Sequence, residues 1–370
     1  MALTEIVRLA TVSVAVASAT LFSSVSAADG WVTGWVVFDV PGAAQGTVPV
    51  VVNDLGTVVG SYYDVNNNQH GFARSVDGRV TTIDVPGIGN QTAVQDINDL
   101  GTMIGYYTDA AGNVHGWVRS TAGEFAVFDP PNSAGATFPN AINLGGEVVG
   151  NYYDASGNDH GFIRSRDGTL TVIDAANPPS GATTLDTRCS HINDEGAIAC
   201  KTLDSTSTFN EVIRSPAGVY TFVDAPGAGI GGYNGTYGAW EHGLNDLGQM
   251  AGTYGDNNGG AHGYVRSAKG VISEFDVPGA GAATGGGAGT YSSAINLFGT
   301  IIGWTYDPNF VAGRGFVRFS DGRITAFTVP GAPSTGTYTQ PWCINLAGEF
   351  TGTYYDVNGN AHGFVALVTQ

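Results

Sequence analysis

Short runs rich in Val, Ile, Thr, Tyr and Phe recur along almost the whole chain, and polar turns containing Gly, Asn and Asp separate them. In one regular stretch the runs cover roughly residues 92–98, 102–109, 114–120 and 124–130. β-Branched and aromatic residues bounded by turn residues are typical of strands. The pattern therefore predicts four successive strands in each stretch, which we call a, b, c and d.

Three turn motifs show that this four-strand pattern is repeated. An Asn-x-x-Gly turn recurs at spacings of 45, 45, 50, 52, 51 and 49 residues. Its first residues, which number repeats 1 to 7, are Asn53, Asn98, Asn143, Asn193, Asn245, Asn296 and Asn345. A His-Gly-aromatic motif begins at His70, His115, His160, His262 and His362, and an Asp-Val-Pro-Gly turn at Asp39, Asp84 and Asp276. Four strands in about 50 residues match one propeller blade, so we predict an all-β, seven-bladed β-propeller with four antiparallel strands per blade.

The two ends of the chain predict how such a propeller would close. The chain stops just after strand c of repeat 7, and the missing strand d occurs near the N-terminus, in the segment from Trp35 to Gly42. An N-terminal strand that completes the last blade leaves no open sheet edge. We therefore expect residues 28–370 to form a single domain closed by this strand.

Residues 1–27 have the features of a secretory signal peptide. Arg8 precedes an apolar stretch from Leu9 to Phe22, and Val25-Ser26-Ala27 fits a small-x-small cleavage site. The alternative is an N-terminal membrane anchor, although the apolar stretch is short for a span. We expect the mature chain to be a monomer, without a membrane span, in the periplasm or outside a bacterial cell.

The charge excludes some partners. A formal charge of −18, with charged residues making up 12% of the chain, argues against nucleic acid, which requires a basic surface. It also disfavours anionic membranes, whereas neutral glycans remain compatible with it.

The repeat resembles the bacterial extracellular repeats of the HAF family, which share an Ile-Asn-x-x-Gly turn followed by His-Ala-Phe. Here the middle residue of the second motif is Gly, as in His70-Gly71-Phe72. The resemblance covers nearly all of the mature chain. It implies an exported repeat protein and implies no particular reaction.

Residues present in most repeats are expected to build the fold. Each repeated His begins strand c, and the Asp of strand d, such as Asp84 for His70, should hydrogen-bond to it across the c–d hairpin. The repeated Arg of strand c is also interpreted as structural. These residues are Arg74, Arg119, Arg164, Arg214, Arg266 and Arg318.

Residues that break the repeat are better candidates for function. His191 and His242 lie outside the His-Gly motif, just before the Asn of repeats 4 and 5, and Arg188, Trp240 and Glu241 are close to them. Imidazole, guanidinium and carboxylate groups suit acid–base chemistry or an anionic sugar. His191, His242, Glu241 and Arg188 are therefore the candidate catalytic residues. The alternative is that they are substituted surface or filler residues.

The loops before repeats 5, 6 and 7 are long and rich in Gly and aromatic residues. Aromatic side chains beside a channel mouth suit stacking on sugars, and ordinary packing is the alternative. The candidate ligand-binding residues are Trp240, Tyr233, Tyr237, Tyr291, Tyr338 and Trp342.

Two b–c turns place side-chain oxygens at alternate positions, as Ca²⁺ loops do. They contain Asp64, Asn66 and Asn68, and Asp356, Asn358 and Asn360. Each has one carboxylate and lacks a downstream Glu, and such residues also form plain turns. We expect no other cofactor.

Cys189 and Cys200 flank the Asn193 turn symmetrically, so they should face each other across an a–b hairpin. In an oxidising compartment we predict a disulfide between them, the alternative being two buried thiols. Cys343 should be buried.

No familiar catalytic motif, such as Gly-x-Ser-x-Gly or His-Glu-x-x-His, is present. The leading hypothesis is therefore an exported binding protein whose ligand, a glycan, lies on the face formed by the d–a loops. One alternative is a carbohydrate-active hydrolase or lyase with its site in repeats 4 and 5. Another is a structural surface protein.

Overall fold

The computed structural model describes residues 31–87, 91–232, 234–239, 242–280, 288–306, 313–332 and 338–369. The predicted signal peptide lies outside the described residues, as do three predicted site residues, Tyr233, Trp240 and Glu241. The described part consists of strands and turns, which confirms the all-β prediction. It holds no helix that would be long and apolar enough to cross a membrane.

The strands are numbered in chain order. They are β1 Val32–Phe38, β2 Gly46–Val52, β3 Val58–Tyr63, β4 Gln69–Arg74, β5 Val80–Ile83, β6 Thr92–Ile97, β7 Met103–Thr108, β8 Val114–Arg119, β9 Phe125–Phe128, β10 Thr137–Ile142, β11 Val148–Tyr153, β12 Asp159–Arg164, β13 Leu170–Val172, β14 Thr184–Ile192, β15 Ile198–Asp204, β16 Phe209–Arg214, β17 Tyr220–Val223, β18 Gly235–Thr236, β19 Met250–Gly255, β20 Ala261–Arg266, β21 Ile272–Phe275, β22 Gly289–Ile295, β23 Ile301–Tyr306, β24 Gly313–Arg318, β25 Ile324–Phe327, β26 Thr339–Ile344, β27 Glu349–Tyr355 and β28 Ala361–Val368.

Repeats 2 and 3 show the predicted a–b–c–d order most simply. Strands β6–β9 form one four-stranded sheet, and β10–β13 form another. Neighbouring strands are antiparallel: Tyr107 of β7 faces His115 of β8, and Gly116 of β8 faces Phe128 of β9. Alternate side chains of each sheet therefore point towards the preceding and the following repeat.

Strand a of most repeats carries a β-bulge, which controls where its side chains point. In β14 the register shifts between Cys189 and His191, so Ser190 is the extra residue. The same shift occurs in β2, β6, β10, β22 and β26. A bulge inserts one residue that has no partner on the neighbouring strand, and it therefore interrupts the strict alternation of side chains along strand a.

The first described strand lies beside the last. β1 pairs antiparallel with β28, from Val32 with Val368 to Phe38 with Gly363. Asp39, which follows β1, accepts a hydrogen bond from His362 Nδ1 at 3.0 Å. The predicted pairing of the N-terminal strand with strand c of repeat 7 is thus present.

The Asn residues of the seven turns hydrogen-bond to one another in succession. Each side chain donates from Nδ2 to the backbone oxygen of the next Asn, and Asn345 donates to Asn53. The distances are 3.2 Å for Asn53 to Asn98, 3.0 Å for Asn98 to Asn143, 3.4 Å for Asn143 to Asn193, 3.0 Å for Asn193 to Asn245, 2.9 Å for Asn245 to Asn296, 3.3 Å for Asn296 to Asn345 and 3.0 Å for Asn345 to Asn53. All seven residues are buried, so these bonds link the inner ends of the repeats.

The core lies between successive repeats. The aromatic residue of each His-Gly-aromatic motif is fully buried, as Phe72 and Trp117 are. Its ring lies on a Gly of strand b: a Cβ on Gly105 would come within 2.9 Å of Trp117 Cε2. Gly is therefore required there because the ring occupies the space of a side chain.

Replacing Asn98 with Ala should lower the free energy of unfolding by about 1–3 kcal/mol. The substitution removes the bond to Asn143 and leaves the backbone N–H of Thr102 without its side-chain acceptor. Urea unfolding measures the change. The control Asn66→Ala, at an exposed turn, should be close to neutral, and equal effects of the two substitutions would contradict a special role for the Asn series.

Candidate functional site

The five repeated His residues hold strands b, c and d of their own repeats together, as predicted. His70 Nδ1 lies 2.9 Å from Asp84 of strand d, and its ring stacks on Tyr62 of strand b at 5.1 Å. On the other side, His70 Nε2 lies 3.7 Å from Asp64 of the b–c turn. The equivalent Asp partners of the other rings are Asp129, Asp174, Asp276 and Asp39. These contacts support the structural interpretation of the repeated His.

The b–c turns proposed for Ca²⁺ use their oxygens within the turn. Asp64 Oδ1 accepts the backbone N–H groups of Asn66 and Asn68, and its Oδ2 accepts Asn68 Nδ2. Asp356 is bonded in the same way to Asn358 and Asn360. These amide donors lower the pKa of both aspartates to about 2. Among the described residues no group of three or more His, Cys, Asp or Glu side chains is placed to hold a metal ion.

Cys189 and Cys200 form the predicted disulfide, and they face each other in the β14–β15 pair. Cys343 is buried, also as predicted, and its Sγ lies 3.7 Å from the backbone oxygen of Val52.

Repeat 4 differs from the others by a row of charged side chains across its sheet. Arg188 of β14, Lys201 of β15 and Glu211 of β16 are directly opposite one another in register, so they share one sheet face. The equivalent row in repeat 3 is Phe138, Asn151 and Gly161. Glu211 replaces the Gly of the His-Gly-aromatic motif, which is Gly71, Gly116, Gly161, Gly263, Gly315 and Gly363 in the other repeats.

The Gly that Glu211 replaces normally lies against the next repeat. A Cβ on Gly161, for example, would come within 2.9 Å of Cys189 Sγ. The Glu211 side chain is fully buried at this position. In the described part of strand a of repeat 5, the two-residue strand β18 is followed by Tyr237 and Gly238, whose backbone still bonds to Thr253 of β19. Gly238 has φ +63°, and a Cβ there would meet the Glu211 carboxyl carbon at 2.7 Å. The Glu211 carboxyl group thus occupies the space that a side chain at position 238 would otherwise fill.

His191 connects repeat 4 to the backbone of Ala239 and Gly243 in repeat 5. The bulge at Ser190 places His191 on the same sheet face as Arg188, where it is buried. Its Nδ1 accepts the backbone N–H of Gly243 at 3.4 Å, and its Nε2 donates to the carbonyl of Ala239 at 3.4 Å. Burial, together with the nearby His242, lowers the pKa of His191 to about 3. The ring is therefore neutral, and both nitrogens bind backbone.

His242 occupies a different environment. It lines a cavity together with six of the seven turn Asn residues, all except Asn143, and its Nε2 lies 3.4 Å from Asp96 Oδ1 of repeat 2. Asp96 is buried and accepts the backbone N–H of Ile142 at Oδ2. The His191 and His242 ring centroids are 6.4 Å apart. The two candidates are neighbours, but only His242 reaches the cavity.

Arg188 points away from both histidines. Its Nε forms an ion pair with the buried Asp159, and its Nη2 donates to Tyr153 Oη at 3.2 Å. Asp159 also accepts Asn151 Nδ2 at 2.7 Å. The candidate catalytic residues therefore divide into a His242–Asp96 pair, the enclosed His191 and an Arg188 cluster, while Glu241 lies outside the described residues.

The Arg188 cluster borders a groove of about 260 Å³. Amide, hydroxyl, guanidinium, ammonium and phenol groups from repeats 2 to 5 face it. The lining residues are Gln95, Asn140, Asn151, Arg188, Ser190, Lys201, Tyr237 and Ala239. Gln95, Asn140 and Ser190 are the extra residues of three strand-a bulges, which explains why they share the groove although they belong to different repeats.

The aromatic candidates fall into two groups. Tyr237 lines the groove, whereas Tyr291 and Trp342 pack on Trp304 with ring centroids 5.7 and 5.2 Å away. Tyr338 lies 5.6 Å from Tyr306. Burial raises the pKa of Tyr237 above its ordinary value and that of Tyr291 to about 12. Packing therefore accounts for much of the Tyr291 and Trp342 surface.

Four charged residues near these sites were missed in the sequence. They are Asp96, Asp159, Lys201 and Glu211, and all have buried or mostly buried side chains. Each differs in type from the residues at the equivalent position of the other repeats. The comparison of repeats that selected His191 would therefore also have found them. Asp96, for instance, stands at the His191 position of repeat 2.

No protein-family model matches the sequence, and no curated protein is significantly similar to it. Solved structures do resemble the fold. A streptogramin B lyase has 15% identity and a TM-score of 0.55 over 90% of this chain and 97% of its own. Virginiamycin B lyase from Staphylococcus aureus has 15% identity and a TM-score of 0.56 over 90% and 100%. The BP39L lectin from Burkholderia pseudomallei has 12% identity and a TM-score of 0.53 over 86% and 96%. At these identities the likeness shows the fold alone, which is that of β-propeller proteins.

The His–Asp contacts predict a stability maximum at mildly acidic pH. Burial opposes charge on His115 and His160, but the carboxylates around each ring outweigh it and raise the pKa above 6.5. Their contribution to the free energy of unfolding is complete below about pH 6.5 and disappears as the pH rises through the raised values. Asp109 and Asp154, with pKa values of about 2 against 3.8 unfolded, contribute above about pH 4 and lose this as the pH falls.

Thermal unfolding between pH 3 and 9 tests this prediction. The midpoint should be highest between about pH 4 and 6.5. In the double variant His115→Gln and His160→Gln, the decline on the alkaline side should be smaller. A midpoint that rises steadily from pH 6 to 8 would contradict the prediction.

Proposed function

We propose that the chain is an exported, monomeric β-propeller of seven blades that binds a glycan in the groove beside Arg188 without cleaving it. The seven blades correspond to the seven repeats. β1 beside β28 and the bond from Asn345 to Asn53 support a closed ring. The disulfide fits an oxidising compartment. We also propose that the repeats belong to the HAF family.

The observation that carries the binding proposal is the convergence of polar side chains from repeats 2 to 5 on one groove, where Arg188 and Lys201 stand at positions that are uncharged in the other repeats. The extra residues of the strand-a bulges in repeats 2 to 4, Gln95, Asn140 and Ser190, are polar and reach this groove. Amides and hydroxyls bind the hydroxyl groups of sugars, and Tyr237 supplies an apolar ring face. The groove lies on the d–a loop side of the Asn series, because strand a runs from that loop to the Asn turn.

One observation favours a second candidate function, a hydrolase or lyase. His242 and Asp96 form a pair that faces a cavity, and a carboxylate-oriented imidazole is a general base in many enzymes. In this version His242 removes the proton, while His191 holds the backbone; Glu241 and Arg188 remain the other predicted catalytic residues. The non-catalytic proposal is preferred because Arg188 and His242 face different cavities.

A test of binding uses calorimetry with a panel of oligosaccharides and the variant Gln95→Ala. We expect one saccharide class to bind, and the variant to bind it about 5- to 30-fold more weakly because it loses one or two hydrogen bonds. Thr121→Ala, in an exposed c–d turn at the other end of the repeat, should bind normally. Absence of binding to every saccharide would defeat the proposal, and chain cleavage that His242→Gln abolishes would replace it by the hydrolase or lyase.

Closure of the ring can be tested by a crosslink. Val36 and Val365 are register partners in β1 and β28, so the double variant Val36→Cys and Val365→Cys should form a disulfide on mild oxidation. Non-reducing electrophoresis and mass spectrometry would detect it. The matched control is Val36→Cys with Val265→Cys, which places the second thiol at the equivalent position of repeat 5. Equal crosslinking in both pairs would contradict closure.

A further inference from the structure

The groove is a cationic site in a strongly acidic protein. Arg188 and Lys201 are adjacent in register on one sheet face. Lys201 is one of only two lysines in a chain with a formal charge of −18. The equivalents of Lys201 in other repeats are uncharged, as Ser61, Tyr106 and Asn151 are. Two neighbouring cations at this place are therefore a local feature of repeat 4.

The charge of Arg188 is compensated within the protein. Asp159 pairs with its Nε, and Tyr153 accepts from its Nη2. These contacts fix the guanidinium while its side chain stays 46% exposed. Arg188 is thus held in place with N–H groups still available on the solvent side.

Lys201 lacks such compensation. Among the described residues its Nζ makes no hydrogen bond or ion pair, and it lies over the Phe209 ring, 5.1 Å from the ring centroid. Glu211 lies opposite Lys201 in register without forming an ion pair with its Nζ, and burial raises the pKa of the Glu211 carboxyl group well above the ordinary value. A largely buried ammonium without a counter-ion costs free energy, which an anionic ligand would recover.

We propose that the ligand is an anionic saccharide whose singly charged group, a carboxylate or a sulfate ester, binds between Lys201 and Arg188. This inference rests on the proposed glycan binding and names the substrate class. The groove of about 260 Å³ is near the lower end of small-molecule sites, roughly 300 Å³. It therefore fits one charged sugar ring, with the Ser190 hydroxyl and the Asn140 amide oxygen placed for its hydroxyls. The Nδ2 groups of Asn140 and Asn151 already donate within the protein.

The test compares galacturonate and glucuronate disaccharides, the matching neutral disaccharides and a sulfated galactose by calorimetry. We expect the anionic ligands to bind at least 10-fold more tightly than the neutral ones. Lys201→Met, which keeps the length of the side chain, should reduce anionic binding about 10- to 100-fold, as expected for a hydrogen bond to a charged group. Whichever of the uronates or the sulfated sugar binds more tightly identifies the anionic group.

Lys269→Met is the matched control, because it removes the same charge from the other lysine, in an exposed turn. It should bind like the unmodified protein. Lys201→Arg keeps the cation and should retain the preference for anions. Binding by the unmodified protein should also weaken at alkaline pH, since burial lowers the pKa of Lys201, and Lys201→Arg should remove that dependence.

Two results would overturn this inference in distinguishable ways. Neutral disaccharides that bind as tightly as uronates, with no effect of Lys201→Met, would disprove the anionic ligand and leave the proposed function intact. Failure of every saccharide to bind would disprove both. Circular dichroism and thermal unfolding of each variant confirm that the loss of binding does not reflect loss of the fold.

Discussion

The lack of space between one repeat and the next is the constraint on which this structure depends. Strand c carries Gly in six repeats because the following repeat packs directly on its backbone: a Cβ on Gly71 would come within 2.6 Å of Val94 Cγ2. In four repeats an aromatic ring of the adjacent strand d, such as Phe128 beside Gly116, fills the remaining space. Any larger residue at the Gly position must move the next repeat, so a substitution there changes the surface rather than only the core.

Repeat 4 shows the consequence. Glu211 replaces the Gly, and the backbone of Gly238 in repeat 5 passes directly beside its carboxyl group. The backbone that follows β18 bonds to β19, and His191 adds two bonds to main-chain atoms of repeat 5. Lys201, which is opposite Glu211 in register, borders the groove together with Arg188. The disulfide Cys189–Cys200 joins the two strands of the a–b hairpin that carry Arg188 and Lys201. The replacement of Gly by Glu, the irregular strand a and the groove therefore lie side by side in repeats 4 and 5.

Much of the fold could be predicted because symmetric turns fix strand register. The turn at Asn193 sets the register in which Cys189 faces Cys200, and the c–d hairpin brings His70 into contact with Asp84. The candidate site was predicted less well, since the direction of a side chain depends on the bulge, which the repeat pattern does not reveal. With Ser190 as the extra residue, His191 turns to the interface between repeats, while His242, which aligns with Ser190, turns to the cavity.

The charged side chains of the protein are of two kinds: those that are paired within their own repeat and those that are not. In the five His–Asp units each carboxylate has donors within its own repeat, so the charge stabilises the fold and leaves little for a ligand. Lys201 has no such partner among the described residues, and its cross-strand neighbour Glu211 forms no ion pair with it. A charge that the fold does not neutralise is the one that a ligand can neutralise. For this reason we propose the groove in repeat 4, rather than the more numerous histidines or the acidic turns, as the place where a ligand binds.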